Sequence, residues 1–358
     1  MLVDGNSLLH RCFHAFPPMS APDGRPTNAV FGMLRLLVNI IDARKPTHLA
    51  VAFDLSRNSF RKEAYPEYKA NRKETDPDLV PQFSIIREVL KALNIPYFEK
   101  ELYEADDIIG TLACQTQADY KVKILTGDRD CLQLINEKVS VLLTITGVSK
   151  LVECTPESTE KKLGFRHDQV LSMKALAGDH SDNIPGVRGV GEKTALSLLD
   201  KYGTIEGVIA SASEIPGKLG EKVRTSVEMI RLSQQLATIV CNVSLDVEPE
   251  SLRLRINRKA GTEILARLGI KSINLDGLVS QSPQVSKPAR PTIQHNAGRI
   301  VIPSTGSQQR CGICARPIPC RRFVELGEHG KLAFGAKIFW ACRICSAALK
   351  PDCYKEIP

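Results

Sequence analysis

The chain has 358 residues, of which 43% are hydrophobic and 25% are charged, and its net charge is +8. This length and composition favour a soluble globular protein with two domains, or with one large domain and an appendage. The sequence has no apolar run long enough to span a bilayer, and its start, MLVDGNSLLHR, lacks the basic and then apolar pattern of a signal peptide. We therefore expect a cytoplasmic protein with no membrane partner.

The positive charge is concentrated in one part of the chain. Twelve of the 48 basic residues and four of the 40 acidic residues lie after residue 280, so this tail carries the whole excess of +8. A basic tail indicates an acidic polymer such as nucleic acid as a partner, although solvated tails are often basic without one.

Three apolar runs end in acids and are predicted to be strands: residues 1–4 (MLVD), 48–54 (HLAVAFD) and 121–130 (KVKILTGDRD). Amphipathic helical patterns lie between them, over residues 28–42 and 82–93. Buried strands that alternate with helices predict an α/β fold with a mostly parallel central sheet flanked by helices on both faces.

The acids at the ends of these strands are Asp4, Asp54, Asp128 and Asp130. In a parallel sheet, ligands bind outside the carboxyl ends of the strands, so these acids are expected to converge at one edge. A single aspartate at a strand end is commonly a turn former, but several at one edge would repel one another without a cation. Hard oxygen ligands of this kind suit a pair of Mg²⁺ or Mn²⁺ ions that act on a phosphodiester.

A second group of acids opens the segment YEADDIIGTLA, residues 103–113. Glu104, Asp106 and Asp107 come just before the apolar spacing of a helix. Acids are tolerated in a first helical turn, so a simple helix cap explains them equally well. Beside the strand-end acids, they extend the predicted metal site.

Residues 57–76 are dense in Arg and Lys, interleaved with Phe60, Tyr65 and Tyr68. Such runs are usually solvated surfaces. Bases interleaved with aromatic rings can also grip phosphates and stack on unpaired bases, so a nucleic-acid contact is the alternative.

Residues 175–203 combine further acids with a glycine-rich turn between two predicted helices. Asp179 and Asp182, three residues apart, can share one face and join the acid set. Glycine-rich turns between helices are frequent, but outward amides at a helix start, with basic side chains nearby, can also hold a phosphate or a monovalent cation. The residues of this turn that we expect to contact a ligand are Gly186, Arg188, Gly189, Gly191 and Lys193.

Taken in order, six segments resemble the successive motifs of the bacterial and phage 5'-nuclease family, which includes the N-terminal domain of DNA polymerase I and is related to flap endonucleases. These segments are LVDGNSLL, VAFD, SFRKEAYPEYKANR, YEADD, LTGDRDCLQL and LAGDHSDNIPGVRGVGEKTA. The resemblance covers residues 1 to about 275 and implies a PIN-like core with a helical arch and a helix-hairpin-helix region. One departure is that only three residues precede Asp4, which indicates either a start further upstream or a frayed first strand.

The resemblance also implies roles for individual residues. The first metal would be held by Asp4, Asp54, Glu104 and Asp106. The second would be held, directly or through water, by Asp107, Asp128, Asp130, Asp179 and Asp182. Lys69 and Arg72 would engage the scissile phosphate, Tyr68 would stack on an end base, and Arg61 lies among the arch bases expected to contact DNA. The helix-hairpin-helix would grip the duplex and bind K⁺.

These observations predict four segments. Residues 1–165 form the catalytic core, with the arch at about 57–85, and residues 166–280 form the helix-hairpin-helix subdomain. Residues 281–310 are polar and contain prolines, as a flexible linker does. Residues 311–358 form a small module like a zinc ribbon.

The module is predicted from two CxxC pairs, formed by Cys311, Cys314, Cys342 and Cys345. Paired knuckles of this kind are typical of a structural tetrahedral Zn²⁺ site, although the spacer is longer than usual, and disulfides or free thiols are the alternative. Cys320 and Cys353 are spare ligand candidates. Four thiolates leave zinc no open position, so the module would dock on DNA or on a protein partner.

The preferred interpretation is a monomeric, Mg²⁺-dependent 5'-3' exonuclease and flap endonuclease for replication and repair. Its substrates would be DNA with 5' flaps, nicks or single-strand to duplex junctions, or RNA primers. Two alternatives stay open at this point. One is a PIN-like RNase, and the other is a non-catalytic adaptor that binds DNA junctions.

Overall fold

The computed structural model describes residues 1–148, 150–275 and 278, together with the backbones of five short strands between residues 309 and 357. The chain divides into two units, residues 1–285 and residues 286–358. The predicted linker falls almost entirely outside the described residues, and so do all the cysteines of the predicted zinc module.

A six-stranded sheet organises the first unit. Its strands are β1 (Leu2–Asp4), β2 (Ala50–Ala52), β3 (Tyr97–Phe98), β4 (Val122–Thr126), β5 (Val139–Thr146) and β6 (Lys150–Cys154). Their order across the sheet is β3-β2-β1-β4-β5-β6, and only β6 runs antiparallel to its neighbour. The mostly parallel sheet confirms the predicted fold class. The short first strand is paired on both sides, so it is not frayed.

Twelve helices accompany the sheet in the described part of the chain. They are α1 (Gly5–Ala15), α2 (Asn28–Arg44), α3 (Phe60–Ala64), α4 (Val80–Ala92), α5 (Ala105–Thr116), α6 (Thr159–Leu163), α7 (Val170–Ala177), α8 (Glu192–Tyr202), α9 (Ile205–Ala210), α10 (Lys218–Thr225), α11 (Val227–Ala237) and α12 (Arg258–Arg267). Short 3₁₀ turns cover Asp130–Leu134, His167–Gln169 and Pro249–Leu252. Within the described residues, none of these helices has both the length and the apolar character needed to cross a bilayer.

Successive strand residues point to opposite faces of the sheet, and here both faces carry apolar side chains that helices cover. Val3 points into a core that contains Leu37 of α2 and Ile86 of α4. Its neighbour Leu2 points the other way, into a core that contains Ile109 of α5. The central strand is therefore buried on both sides, and its carboxyl end is fixed in position.

A helical layer follows the sheet. Helices α7 to α11 share their own core, to which each contributes one buried side chain or more, including Leu176, Leu198, Val208, Val223 and Ile230. Helix α12 returns to the core shared by α1, α2 and α4. The glycine-rich turn predicted from the sequence connects α7 with α8.

The predicted arch, residues 57–85, contains the five-residue helix α3, a run of turns and the start of α4. Its middle part packs back on the chain after α7. Tyr68 lies in a small apolar cluster with Ile184 and Leu236. The amide of Lys69 donates a 2.9 Å hydrogen bond to the carbonyl of Asp182. These contacts make the turn region of the arch one wall of the site described below.

The second unit contains two small antiparallel sheets. Strand β7 (Gln309–Arg310) pairs with β8 (Pro317–Ile318), and β9 (Phe323–Leu326) lies between β10 (Ile338–Phe339) and β11 (Tyr354–Ile357). The zinc site stays a prediction because Cys311, Cys314, Cys342 and Cys345 lie outside the described residues.

Candidate active site

A cavity of about 810 Å³ opens at the carboxyl edge of the sheet. Seven of the nine acids predicted to bind metal line it, and they come from strand ends, from the start of α5 and from the turn after α7. These acids are Asp4, Asp54, Glu104, Asp106, Asp128, Asp130 and Asp179. The same cavity is lined by Lys69, Arg72 and Lys174. The structure thus brings together groups that lie up to 175 residues apart in the chain.

Asp4 is positioned by the junction of β1 and α1. It caps the helix, because its carboxylate accepts a 2.9 Å hydrogen bond from the amide of Ser7. Its other oxygen accepts a 2.6 Å hydrogen bond from the hydroxyl of Thr126 at the end of β4. The next residue must be glycine, since a Cβ at Gly5 would lie 2.3 Å from the ring of Phe53.

Asp54 connects the cavity to two helices. One carboxylate oxygen accepts a 2.9 Å hydrogen bond from the side-chain amide of Asn6, and the other accepts a 2.7 Å hydrogen bond from the amide of Ala105. The second contact uses one of the unpaired amides at the start of α5. Asp54 is therefore held between α1 and α5.

Asp128 and Asp130 follow β4 in a tight turn. The carboxylate of Asp128 accepts a 2.9 Å hydrogen bond from the amide of Asp130, and the amide of Asp128 donates a 2.8 Å hydrogen bond to the hydroxyl of Thr126. This turn directs both acids towards the cavity.

Asp106 and Asp107 are neighbours on α5 but have different surroundings. Asp106 lines the cavity, where it accepts a 3.3 Å hydrogen bond from the thiol of Cys131. Asp107 is fully buried, and its two oxygens each accept a 2.7 Å hydrogen bond from Arg61. The predicted role of Asp107 as a metal ligand is corrected by this geometry, because its carboxylate is buried, does not line the cavity and already pairs with Arg61.

Arg61 also differs from its prediction. Its side chain is only 3% exposed, and beyond Asp107 it donates hydrogen bonds of 2.8 and 2.7 Å to the carbonyls of Leu236 and Thr238. A guanidinium that is buried and bonded to these acceptors is not accessible to DNA. The structure therefore assigns Arg61 to the packing of α3 against α5 and α11, and not to direct contact with DNA.

Tyr68 is likewise buried, with 4% of its surface exposed. Its hydroxyl donates hydrogen bonds to Glu104, at 3.1 Å, and to Asp182, at 3.3 Å. The prediction that Tyr68 stacks on an end base is corrected for the same reason, because its ring packs inside the protein.

Lys69 and Arg72 line the cavity at its rim, and their contact with the scissile phosphate stays a prediction. The ammonium of Lys69 lies 2.8 Å from a carboxylate oxygen of Glu104, and the guanidinium of Arg72 lies 2.5 Å from one of Asp182. Asp182 is buried beneath these bases and does not line the cavity itself. It serves as their counter-ion.

Lys174 was not singled out from the sequence. It lies on α7, and its ammonium forms ion pairs with Asp130 and with Asp179. Asp179 is further fixed by hydrogen bonds of 2.8 and 2.6 Å from the amide and the hydroxyl of Ser181. A lysine in a helix normally indicates a solvated face, so only its spacing of five residues from Asp179 could have pointed to this contact.

Burial and, secondarily, neighbouring negative charge disfavour the ionisation of several of these acids. Burial raises the pKa of Asp4 to about 7, that of Asp130 to about 7 and that of Asp106 well above its ordinary value, and the charge of Asp128 adds to each shift. Burial also raises the pKa of Asp54. A nearby positive charge would favour the ionised form of these carboxyls and would therefore be stabilised in this cavity.

Lys174 supplies one such positive charge, next to Asp130 and Asp179. Burial opposes ionisation of Asp179, but the charge and hydrogen bond of Lys174, with the hydrogen bonds of Ser181, outweigh it and lower the pKa of Asp179 to about 2. Burial alone would lower the pKa of Lys174, but Asp130 and Asp179 raise it, so the ammonium is charged.

The residues fit a divalent metal by the chemistry of their donors, which are hard carboxylate oxygens crowded in one cavity. Among the described residues, however, no three carboxylate, imidazole or thiol groups stand together in a position to hold an ion. Lys69 and Lys174 pair with Glu104, Asp130 and Asp179, so the protein's own cations take up carboxylates that an ion would need.

The glycine hairpin lies next to the cavity, between α7 and α8. Gly186 faces inwards, where its amide donates a 3.0 Å hydrogen bond to the buried hydroxyl of Ser233. This corrects its predicted role in ligand contact. The other residues expected to contact a ligand are exposed, namely Arg188, Gly189, Gly191 and Lys193. The ammonium of Lys222 also lies beside Gly189, a contact that the sequence did not suggest.

The sheet, its acid-lined cavity and the helical layer with the glycine hairpin define the class of the protein, which is a nuclease of the α/β type. Two family models match, described as "5'-3' exonuclease, N-terminal resolvase-like domain" over residues 1–164 and "5'-3' exonuclease, C-terminal SAM fold" over residues 165–260. The chain therefore belongs to the 5'-3' exonuclease family, which confirms the resemblance identified from the sequence motifs.

Curated relatives include DNA polymerase I of Bacillus caldotenax, 42% identical over 291 residues, and that of Bacillus subtilis, 42% identical over 276 residues. These matches cover 80% and 76% of this chain but 33% and 31% of the polymerases. The chain thus spans about a third of the length of these relatives.

Solved structures with the same fold include the T5 5'-exonuclease with bound zinc, with a TM-score of 0.57 and 24% identity. Another is a bacteriophage T5 flap endonuclease variant in a pseudo-enzyme–product complex with DNA and metal ions, with a TM-score of 0.55 and 22% identity. Each match covers 75% of this chain and 98% of the T5 protein. At these identities the likeness establishes the fold.

Proposed function

We propose that this protein is a Mg²⁺-dependent, structure-selective 5'-3' exonuclease and flap endonuclease that hydrolyses phosphodiesters near the 5' ends of DNA or of RNA primers. The observation that carries this proposal is the convergence of Asp4, Asp54 and Asp128, from three separate strand ends, in one cavity with Lys69 and Arg72 at its rim. An acid cluster alone would repel a phosphodiester, so the rim cations and a bound metal are both required.

Eight acids would hold the metal ions, Mg²⁺ or Mn²⁺. The first group is Asp4, Asp54, Glu104 and Asp106, and the second is Asp128, Asp130, Asp179 and, through water, Asp182. When bound, two such ions supply Lewis-acid chemistry, because they polarise the phosphate, activate water and stabilise the leaving oxygen. Burial and, to a lesser extent, the neighbouring acids raise the pKa values of Asp4, Asp106 and Asp130. These shifts support the assignment, since a bound cation would stabilise the charged form of each carboxyl.

Lys69 and Arg72 would bind the scissile phosphate. Both already hold anionic partners, Glu104 and Asp182, at the rim of the cavity. The guanidinium of Arg72 is half exposed, so an entering phosphate can reach it without rearrangement of the core. A phosphate oxygen would replace a carboxylate oxygen in these pairs, and the freed Glu104 would become available to a metal ion.

The glycine hairpin would hold the duplex part of the substrate. Within the described residues, no acceptor takes a hydrogen bond from the amides of Arg188, Gly189 or Gly191. Exposed amides of this kind, next to the basic side chains of Arg188 and Lys193, suit a backbone phosphate, and K⁺ would mediate the contact. The T5 flap endonuclease variant of the same fold is in a complex with DNA and metal ions, which supports DNA as the ligand of this chain.

The tail would add a docking module. Its charge favours DNA, and its CxxC pairs favour a structural Zn²⁺ ion that stabilises a surface for DNA or for a protein partner. Measuring zinc in the purified protein, before and after Cys342→Ser, tests this part of the proposal independently of cleavage.

Cleavage of a 5'-labelled flap duplex tests the function directly. Mg²⁺ should support cutting near the junction, EDTA should stop it, and Asp128→Asn should abolish cutting while junction binding persists, because only a ligand charge is removed. Asp119→Asn is the matched control, since Asp119 is an exposed acid outside the cavity.

The outcomes also separate the alternatives. Tight junction binding without cutting would indicate an adaptor, and a strong preference for single-stranded RNA over DNA flaps would indicate a PIN-like RNase. Full activity of Asp128→Asn would refute the metal assignment.

A further inference from the structure

The geometry points to Lys174 as a built-in cation that takes the place of the second metal ion when no substrate is bound. In this arrangement the second ion loads only when the lysine withdraws, so Lys174 weakens the affinity of the free enzyme for that ion. This inference rests on the proposed two-metal function and adds to it a means of coupling metal loading to substrate.

The position of the ammonium carries the argument. Lys174 extends from α7 into the cavity and pairs with one oxygen of Asp130 and one of Asp179. All three side chains are between 12% and 13% exposed. A lysine this deeply buried is stable only with close anionic partners, and its two partners are the acids expected to reach the second metal ion.

A divalent ion cannot share this place with the ammonium. An ion that bound both carboxylates would lie within a few ångströms of a like charge in a partly buried site, where charge repulsion is strong. The ammonium has space to move away from the ion, because Lys174 lines the cavity and has a flexible four-carbon side chain. The lysine can therefore move into the cavity while its backbone stays in α7.

Lys69 does not have the same role. It comes from the arch, approaches Glu104 and Asp182, and would follow an incoming phosphate. Lys174 comes from a helix that is fixed in the core of the helical layer. A phosphate that enters the cavity adds negative charge, which favours both the second ion and the displaced ammonium. Loading of the second ion would thus follow substrate binding.

Titration of the DNA-free protein with Mn²⁺ by calorimetry tests this inference without using activity. We expect wild type to bind one ion tightly and a second weakly. Lys174→Met should lower the Kd of the second ion at least about tenfold and leave the first unchanged, and Lys174→Arg should retain the weak second site. Lys218→Met is the matched control, because Lys218 is exposed on α10 and does not line the cavity.

A thermal unfolding series completes the test. Without metal, Lys174→Met should melt at a lower temperature than wild type, because Asp130 and Asp179 lose their counter-ion, and Mn²⁺ should raise its melting temperature more than that of wild type. If Lys174→Met does not fold, Lys174→Gln, which keeps a hydrogen-bond donor, is titrated in its place.

The results distinguish this inference from the proposed function. If the second-ion Kd is the same in wild type and in Lys174→Met, or is weaker in the variant, Lys174 is a structural tie and the inference is overturned, even if Mg²⁺-dependent flap cutting is intact. If wild type binds no Mn²⁺ and does not cut, the two-metal function fails and the inference fails with it.

Discussion

Arg61 and Asp107 form a buried ion pair in which two guanidinium nitrogens each lie 2.7 Å from a different carboxylate oxygen. The pair connects α3 with α5, and Arg61 extends it to the carbonyls of Leu236 and Thr238. Asp107 also accepts a 2.9 Å hydrogen bond from the amide of Val240. The carboxylate of Asp107 thus joins α5 to α3 and to the segment that follows α11.

The first prediction concerns this pair. Asp107→Asn keeps the size of the side chain but leaves Arg61 charged and buried, so the free energy of unfolding should fall by about 3–5 kcal/mol. Urea unfolding followed by circular dichroism measures the change. Asp23→Asn, which removes an exposed partner of Arg25, should leave the midpoint unchanged. Equal midpoints for the two variants would contradict the structural role given to Asp107.

The second prediction is a dependence of stability on pH in the absence of metal. The folded-state pKa values of Asp4 and Asp130 are about 7, above those of an unfolded chain, so the folded state binds more protons than the unfolded state between about pH 4 and pH 7. The contribution of Asp4 and Asp130 to the free energy of unfolding therefore falls as the pH rises through this window. Asp179, with its lowered pKa of about 2, acts in the opposite direction but only below this window.

Melting temperatures with and without Mg²⁺ test this prediction. The metal-free protein should melt at a lower temperature at about pH 8 than at about pH 6, and Mg²⁺ should stabilise it more at the higher pH, because it replaces the protons that the carboxyls lose. If Mg²⁺ raised the melting temperature more at about pH 6 than at about pH 8, this prediction would be wrong.

The third prediction concerns Gly186, whose φ of 58° lies in the left-handed region. A Cβ there would approach the amide nitrogen of Gly178 to 2.1 Å, so the hairpin and the end of α7 could not keep their contact. Gly147→Ala is the control, because Gly147 has a φ of 56° but open space around its Cα. Backbone strain alone should cost Gly147→Ala roughly 1–2 kcal/mol, and Gly186→Ala should cost clearly more in the same unfolding assay. Similar losses would show that the close packing is unimportant.

The fourth prediction concerns the exposed bases of the hairpin. Replacing Arg188 and Lys193 together by Gln should weaken junction binding and reduce the slope of log K against log salt by about two, since two phosphate contacts are lost. Replacing Arg44 and Lys121 by Gln removes the same charge at the opposite edge of the sheet, beside a separate small pocket. Fluorescence anisotropy on a labelled junction gives both slopes, and equal slopes would place the duplex away from the hairpin.

Much of the site could be predicted from the sequence because parallel strands end at the same edge. Asp4, Asp54 and Asp128 each follow an apolar run, and this pattern alone places them together. The hairpin of β5 and β6 was not predicted, although the apolar run VSVLLTIT and the turn at Gly147 carried a signal for it.

The directions of side chains were harder to predict. Asp106 and Asp107 are adjacent on a helix, about 100° apart around its axis, and the motif does not show which one faces the cavity. Arg61 lies in a run of charged residues and looked exposed, yet its partner is 46 residues further along the chain. Lys174 likewise pairs with Asp130, which lies 44 residues away in the chain. Contacts of this kind depend on tertiary packing, which local patterns do not encode.

The place of β1 in the middle of the sheet also has a consequence for biosynthesis. Its pairing partners are residues 50–52 and 122–126, and both segments are translated after it. Its hydrogen bonds on the second side can form only after β4, which ends at residue 126, has been made. Asp4 needs Thr126 to fix its carboxylate, so it is translated well before it can reach its final environment. Slow elongation before residue 126 would prolong the time during which this apolar strand is exposed to chaperones.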